Sequence, residues 1–317
     1  MSTNPTQNIT ASMPSPGGKK TIVVFGATGT QGGSVVRALL QNPIFAVRAV
    51  TRHPDGVAAQ ELKKLKAEVV NGDMDDEQGL RKILAGAYGC FLVTNYYEHM
   101  DMNREIRQGK NVIEACKTAG IKHVIYSGLE RTEGSGIDGP VYTFDGKAAV
   151  EDYLEASGLS WTSTRIAFYC ENFFSYFLPR KTAENKYTVT VPMGKKPIYL
   201  MAACDIGHCV TEIFKDPIKY KGKKLNLAGD KLTIDQVCAT FTKHLMPKQF
   251  QYSAITVEEY AKMTFPGAEE MSNMFHYFQL KSDDLRDVPM TRKLWTKCHT
   301  FDSWVQLNKD RFLQSIK

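Results

Sequence analysis

The sequence has no apolar run long enough to span a bilayer, so it predicts no transmembrane helix and no membrane partner. Residues 1–18 lack the apolar stretch of a secretory signal. They also lack arginine, which argues against a mitochondrial transit peptide. CxxC is absent. The seven cysteines are odd in number and read as reduced core thiols, as in a cytoplasmic protein. Charge of one sign is nowhere concentrated: 40 Lys and Arg against 34 Asp and Glu leave a net +6, and the lysine pairs are scattered. A nucleic-acid binder gathers its cations, so no direct nucleic-acid contact is expected. Cys204, His208 and Cys209 lie close together without a second ligand pair, so no metal site is expected either.

What is present is ordinary for a globular chain of 317 residues, with 43% hydrophobic and 23% charged positions. Residues 1–20, rich in Pro, Ser, Thr and Gly, read as a flexible tail. From Thr21 the rhythm changes. Short apolar runs (Thr21–Phe25, Val47–Thr51, Glu68–Val70, Cys90–Thr94, His123–Ser127, Ser160–Ile166) alternate with helical spacing (Ser34–Leu40, Ala58–Leu65, Asn103–Ala119, Thr143–Ala156). Buried parallel strands joined by helices have this pattern. The expected fold is α/β: a Rossmann-type doubly wound parallel sheet over 21–166, with a smaller mixed α/β C-terminal lobe over 167–317 closing a cleft. The boundary is soft, because such chains often cross between lobes more than once.

The strongest local signal is Gly26-Ala27-Thr28-Gly29-Thr30-Gln31-Gly32, leaving a strand and opening a helix. Gly26 allows the turn, Gly29 lets the backbone approach a pyrophosphate, and Gly32 lets the helix pack on the sheet. The spacing is GxxGxxG, which points to extended and atypical short-chain dehydrogenases/reductases. The second strand ends Val50-Thr51-Arg52-His53, with no carboxylate to accept from a ribose 2′-OH. Arg52 suits a 2′-phosphate, so NADP(H) is favoured over NAD(H). Asp73 should meet the adenine edge, and Thr94-Asn95-Tyr96 should flank the pyrophosphate and nicotinamide ribose. Tyr169, Cys170, Glu171 and Asn172 follow the sixth strand, on the nicotinamide side; core is the default for the aromatics around them.

The catalytic candidates are Ser127, Tyr142 and Lys147, none certain. YxxxK would let the ammonium lower a phenol pKa. Here position 143 is threonine, and Tyr142 sits five residues before Lys147. That is about 140° round a helix, on a different face.

The stretches VVFGATGTQGGSVVRALL, AVTRHP, EVVNGDMDD, FLVTNYYE, YSGLE, FDGKAAVEDYL, YCENFF and FPGAEEMSNMF, in this order, resemble the NmrA-like family, most closely its NADPH-sensing animal branch, over about 21–310. The resemblance implies an NADP(H)-binding protein without established turnover. Conformation, homodimerisation and regulatory protein partners would follow the NADPH/NADP ratio, in the cytoplasm and also the nucleus. It assigns phosphate contacts to Gly26–Gln31, the 2′-phosphate to Arg52 and its neighbour His53, and the adenine side to Asp73 and Met74. Thr94, Asn95 and Tyr96 fall to the middle, and Lys147 and Tyr169–Asn172 to the nicotinamide side. After Arg-x-Pro this chain has Asp55-Gly56 where the branch supplies further basic residues, so NADP preference should be weaker, or rescued by a lysine such as Lys63. The alternative is a working NADPH-dependent reductase of the quinone- or isoflavone-reductase kind using Lys147. The displaced tyrosine favours the sensor.

Overall fold

A computed structural model describes residues 18–316, so most of the expected tail lies outside the described residues. The first half runs β1 (Lys20–Val24), α1 (Thr30–Leu40), β2 (Phe45–Thr51), α2 (Val57–Lys64), β3 (Glu68–Asn71), α3 (Glu77–Leu84), β4 (Gly89–Leu92), α4 (Met102–Thr118), β5 (His123–Tyr126), α5 (Tyr142–Ala156) and β6 (Trp161–Ile166). Then come β7 (Phe168–Tyr169), β8 (Arg180–Ala183), β9 (Lys186–Val189), β10 (Ile198–Met201), α6 (Ala203–Lys215), α7 (Pro217–Tyr220), β11 (Lys223–Leu227), β12 (Asp230–Leu232), α8 (Ile234–His244), β13 (Gln249–Tyr252), α9 (Val257–Ala261), α10 (Ala268–Leu280), α11 (Val288–Leu294), α12 (Phe301–Leu307) and α13 (Lys309–Ser315).

The main sheet has seven parallel strands in the order β11-β6-β5-β4-β1-β2-β3. Its central strands are apolar on both faces because both faces are covered. Ile22 and Val24 point to one core with Val35, Leu39 and Phe214, and Val23 to the other with Leu80, Val112 and Val150. The chain winds outward one way from β1 and the other way from β4. The crevice between their carboxyl ends is where this topology leaves room for a ligand.

Two features of the first lobe were not read from the sequence. One is α3. The other is the return of the chain after residue 166: β11 pairs with β6 from Lys223–Thr162 to Leu227–Ile166, and α6 packs along α1. Residues 203–227 thus belong to the first lobe, and the chain crosses between lobes more than once. The second lobe is built from two three-stranded sheets, β12-β10-β7 and β13-β9-β8, and helices around an aromatic core. Phe168, Phe173 and Phe177 join that core, and Phe174 leans on Trp304 and Phe312. Of the large side chains in the run, Tyr176 and Leu178 are exposed. Among the described residues no helix is long and apolar enough to cross a membrane.

Candidate functional site

The glycine loop follows directly from β1. Gly26 takes φ +63°, and the Gly29 N–H closes the turn on Gly26 O at 2.9 Å. At Gly32 a Cβ would lie 2.2 Å from Gly26 O, so only glycine lets α1 start this close to the loop. Gly29 caps α1 without a side chain, and the first turn holds no acid. Free N–H groups at the positive end of a helix therefore face the crevice, which suits a phosphate. The crevice is about 1050 Å³ and runs from Arg52 to Phe278. The side-chain oxygen of Gln31 is buried on its wall with no hydrogen-bond partner, leaving an acceptor for a ligand donor.

At the adenosine end Arg52, His53, Asp73 and Met74 line the crevice. Arg52 is engaged across the opening: its guanidinium pairs with Glu98, in the short helical turn Tyr96–Glu98 after β4. Lys63, the expected rescuer, lies 3.7 Å from Asp55. The cation that shares a hollow with Arg52 and Asp73 is instead Lys82, on α3.

At the far end the expected residues separate. Lys147 donates to Thr94 O at 2.8 Å, to Thr94 Oγ1 at 3.0 Å and to Glu105 Oε1 at 2.7 Å. An ammonium has three protons, and all three are spent. Glu105 is fully buried on α4. Tyr142 is the first residue of α5, half-exposed, and its ring stacks on Tyr96 with centroids 6.5 Å apart. It does not line the crevice, so the helix geometry that separated it from Lys147 in the sequence is not rescued by a swing of the chain. Ser127 does line it.

Two of the phenols on the wall are held protonated. Burial pushes Tyr96 up to about 12, with Glu270 adding to it. Burial also lifts Tyr169 to about 12, against a hydrogen bond from Gln31. These shifts run opposite to the activation a neighbouring lysine gives. Gln31 Nε2 donates to the Tyr169 hydroxyl at 2.5 Å, joining the two lobes over the crevice. Glu270 on α10 also joins them, accepting the Thr143 N–H of α5 at 2.9 Å.

Three of the expected residues do not line the crevice: Ala27 is buried in the core under α1, Cys170 points into the aromatic core of the second lobe, and Tyr142 lies outside. In each case the side chain packs where its neighbours in the chain face the opening. Glu171 reaches the wall, but its carboxylate accepts the Ala203 N–H and the Trp304 indole N–H, both at 3.0 Å, and so braces α6 and α12. Gly26, Thr28–Gly32, Arg52, His53, Asp73, Met74, Thr94–Tyr96, Lys147, Tyr169 and Asn172 do line the crevice. Sequence reasoning missed Glu98, Glu105, Lys82 and Glu270. Only Glu105 carried a signal: it falls on the buried stripe of α4 with Gly109, Val112 and Cys116, where a lone acid needs a partner.

Residues 18–305 match the family model of the NmrA-like family. The chain belongs to the NmrA-like family. It is 31% identical over 255 residues to an NmrA-like family domain-containing protein of Dictyostelium discoideum, covering 77% of this chain and 83% of the relative. It is also 31% identical over 284 residues to the NmrA-like family domain-containing oxidoreductase FrzB of Cladobotryum sp., covering 81% and 83%. Among solved structures, NmrA, a negative transcriptional regulator, in complex with NADP superposes with a TM-score of 0.78 at 25% identity, over 91% of this chain and 94% of that one. The seven-stranded sheet with its smaller lobe is thus the NmrA-like arrangement of the Rossmann fold.

Proposed function

We propose that this NmrA-like protein binds NADP(H) in the crevice and reports the cofactor's redox state through its conformation and its association with a protein partner or a second copy, without rapid turnover. The observation that carries the reading is the Lys147 ammonium, spent on Thr94 and Glu105 with no activated phenol beside it. A site with a dinucleotide cradle and no proton relay binds without turning over efficiently. Two contacts supply the coupling. Gln31–Tyr169 and Arg52–Glu98 both cross the crevice in the free protein. A cofactor that takes over either partner changes how the two sides are tied, and a ligand shifts a conformation only by such differential contacts.

The second reading, an NADPH-dependent reductase, is favoured by the apolar continuation of the crevice along Met271, Met274 and Phe278 of α10, where a substrate has room. The relative named as an oxidoreductase points the same way. Sedimentation and limited proteolysis with NADPH, NADP and no cofactor separate the two. The expected result is a cofactor-dependent change in one or both, with negligible NADPH oxidation by quinones or enones. Identical behaviour in every condition, or steady oxidation of NADPH, overturns the proposal.

The Arg52–Glu98 pair makes a further prediction. Arg52→Ala should weaken NADP(H) by about 1.5–3 kcal/mol and leave NAD(H) nearly unchanged. Glu98→Gln should do the reverse, because the 2′-phosphate no longer competes with a carboxylate for the guanidinium. The pair is partly exposed, so the gain is modest, about two- to fivefold for NADP(H). Calorimetry on both variants with both cofactors checks the signs; equal changes for NADP(H) and NAD(H) would remove Arg52 from 2′-phosphate recognition.

A further inference from the structure

Three potential ligands from distant parts of the chain meet at the start of α6. Cys204 and Asp205 lie in its first turn, and His299 lies just before α12. The Cys204 Sγ is 3.8 Å from His299 Nδ1, and that nitrogen is 2.9 Å from Asp205 Oδ2. Donor atoms of these three residues all fall within 4.8 Å of one another. Cys298 stands beside the group, its thiol donating to His299 O at 3.9 Å. The ligand that the sequence around Cys204 lacked is therefore supplied by His299, nearly a hundred residues away.

The geometry points to a cation site, formed by Cys204, Asp205 and His299 with a fourth position left for water, for a borderline-soft divalent metal of which zinc is the fitting example. Zinc binds four such ligands at about 2.0–2.3 Å in a tetrahedron, which spaces the ligand atoms about 3.3–3.8 Å apart. The sulfur–nitrogen distance is already of that size. The nitrogen–oxygen distance needs to open by a few tenths of an ångström, about the change from a hydrogen bond to shared coordination. A sulfur and an imidazole nitrogen select against magnesium and calcium.

A second, independent observation concerns charge. The buried acids among the described residues are Glu105, Glu130, Glu151 and Asp205. The first three each have a lysine or arginine partner: Lys147, Arg286, and Arg165 with Lys224. Asp205 has only the imidazole of His299. A buried carboxylate without a permanent cation is costly, and a divalent ion between it, the Cys204 sulfur and the His299 ring removes that cost. Outer contacts hold the carboxylate in place: the Trp295 indole N–H donates to it at 3.3 Å and the His299 backbone N–H at 2.7 Å. Cys204 is exposed, which gives an ion a path in. The site would clamp α6 to the loop before α12, one residue from Ala203, whose N–H Glu171 holds at the crevice wall.

The test is a titration of the untagged full chain with cobalt(II), followed by absorption. One equivalent is expected to give a near-ultraviolet thiolate-to-cobalt band with the intense visible bands of tetrahedral cobalt, displaced by one equivalent of zinc. Cys204→Ser alters an exposed side chain, so its fold is expected to survive, checked by circular dichroism. It should lose much of the thiolate band, and His299→Ala should weaken binding by more than about tenfold. A cobalt spectrum that stays that of the hydrated ion, or one unchanged in Cys204→Ser and His299→Ala, overturns the assignment.

Discussion

Replacing Lys147 with methionine is expected to destabilise the protein by about 3–5 kcal/mol, because it strands the Glu105 carboxylate in the core. Glu105 is 0% exposed and the lysine side chain 13%, so water cannot replace the lost partner. A catalytic or ribose-binding lysine at the surface of a crevice would cost far less when removed. The double variant Lys147→Met/Glu105→Gln should recover most of the loss, since it removes the charge that was left unpaired. Urea denaturation of the two single variants and the double checks this. A Lys147→Met loss below about 1 kcal/mol, the size of an exposed pair, would show that the network is solvated and that the ammonium is free to serve a bound cofactor.

The second large effect belongs to the glycine loop. Gly29→Val is expected to weaken NADPH binding by at least about a hundredfold, roughly 2.7 kcal/mol, while the fold survives. Gly29 takes φ −88°, which any residue adopts, and a Cβ there meets one atom, Gly26 O at 3.3 Å. The side chain beyond that Cβ enters the space a pyrophosphate needs in front of the free N–H groups of α1. Gly32→Val should behave differently. Its Cβ collides with the Gly26 backbone, so it should lower the melting temperature as well as binding. Calorimetry with NADPH, alongside circular dichroism and thermal melting, separates the two variants. Native-like NADPH affinity in folded Gly29→Val would mean that the loop is only a turn.

How much of this was legible beforehand differs between the two predictions. The loop was readable because its meaning is local. A strand, three glycines at set spacing and a helix are all contained in residues 20–40, and hydrophobic periodicity over such a span sets which backbone groups face outward. The network around Lys147 was not readable, because Thr94, Glu105 and Lys147 come from three separate elements and their distances depend on how those elements pack. The sequence marked Lys147 as a candidate for the nicotinamide ribose. Packing turned two of its protons toward Thr94 and the third toward the buried Glu105.

The sequence by itself determined the strands from β1 to β6 and the helices between them except α3, the anion-binding start of α1 and the displaced tyrosine. Each follows from spacing along one segment, through periods of 2.0 and 3.6 residues that chain connectivity imposes. Tertiary structure alone decided the rest. It brought residues 203–227 back to complete the sheet at β11, and it set Glu98 against Arg52 across the opening. It turned Cys170 inward and gathered Cys204, Asp205 and His299 at one helix end. These depend on which elements become neighbours, and that is settled by the burial of whole faces against one another, a property no single segment carries.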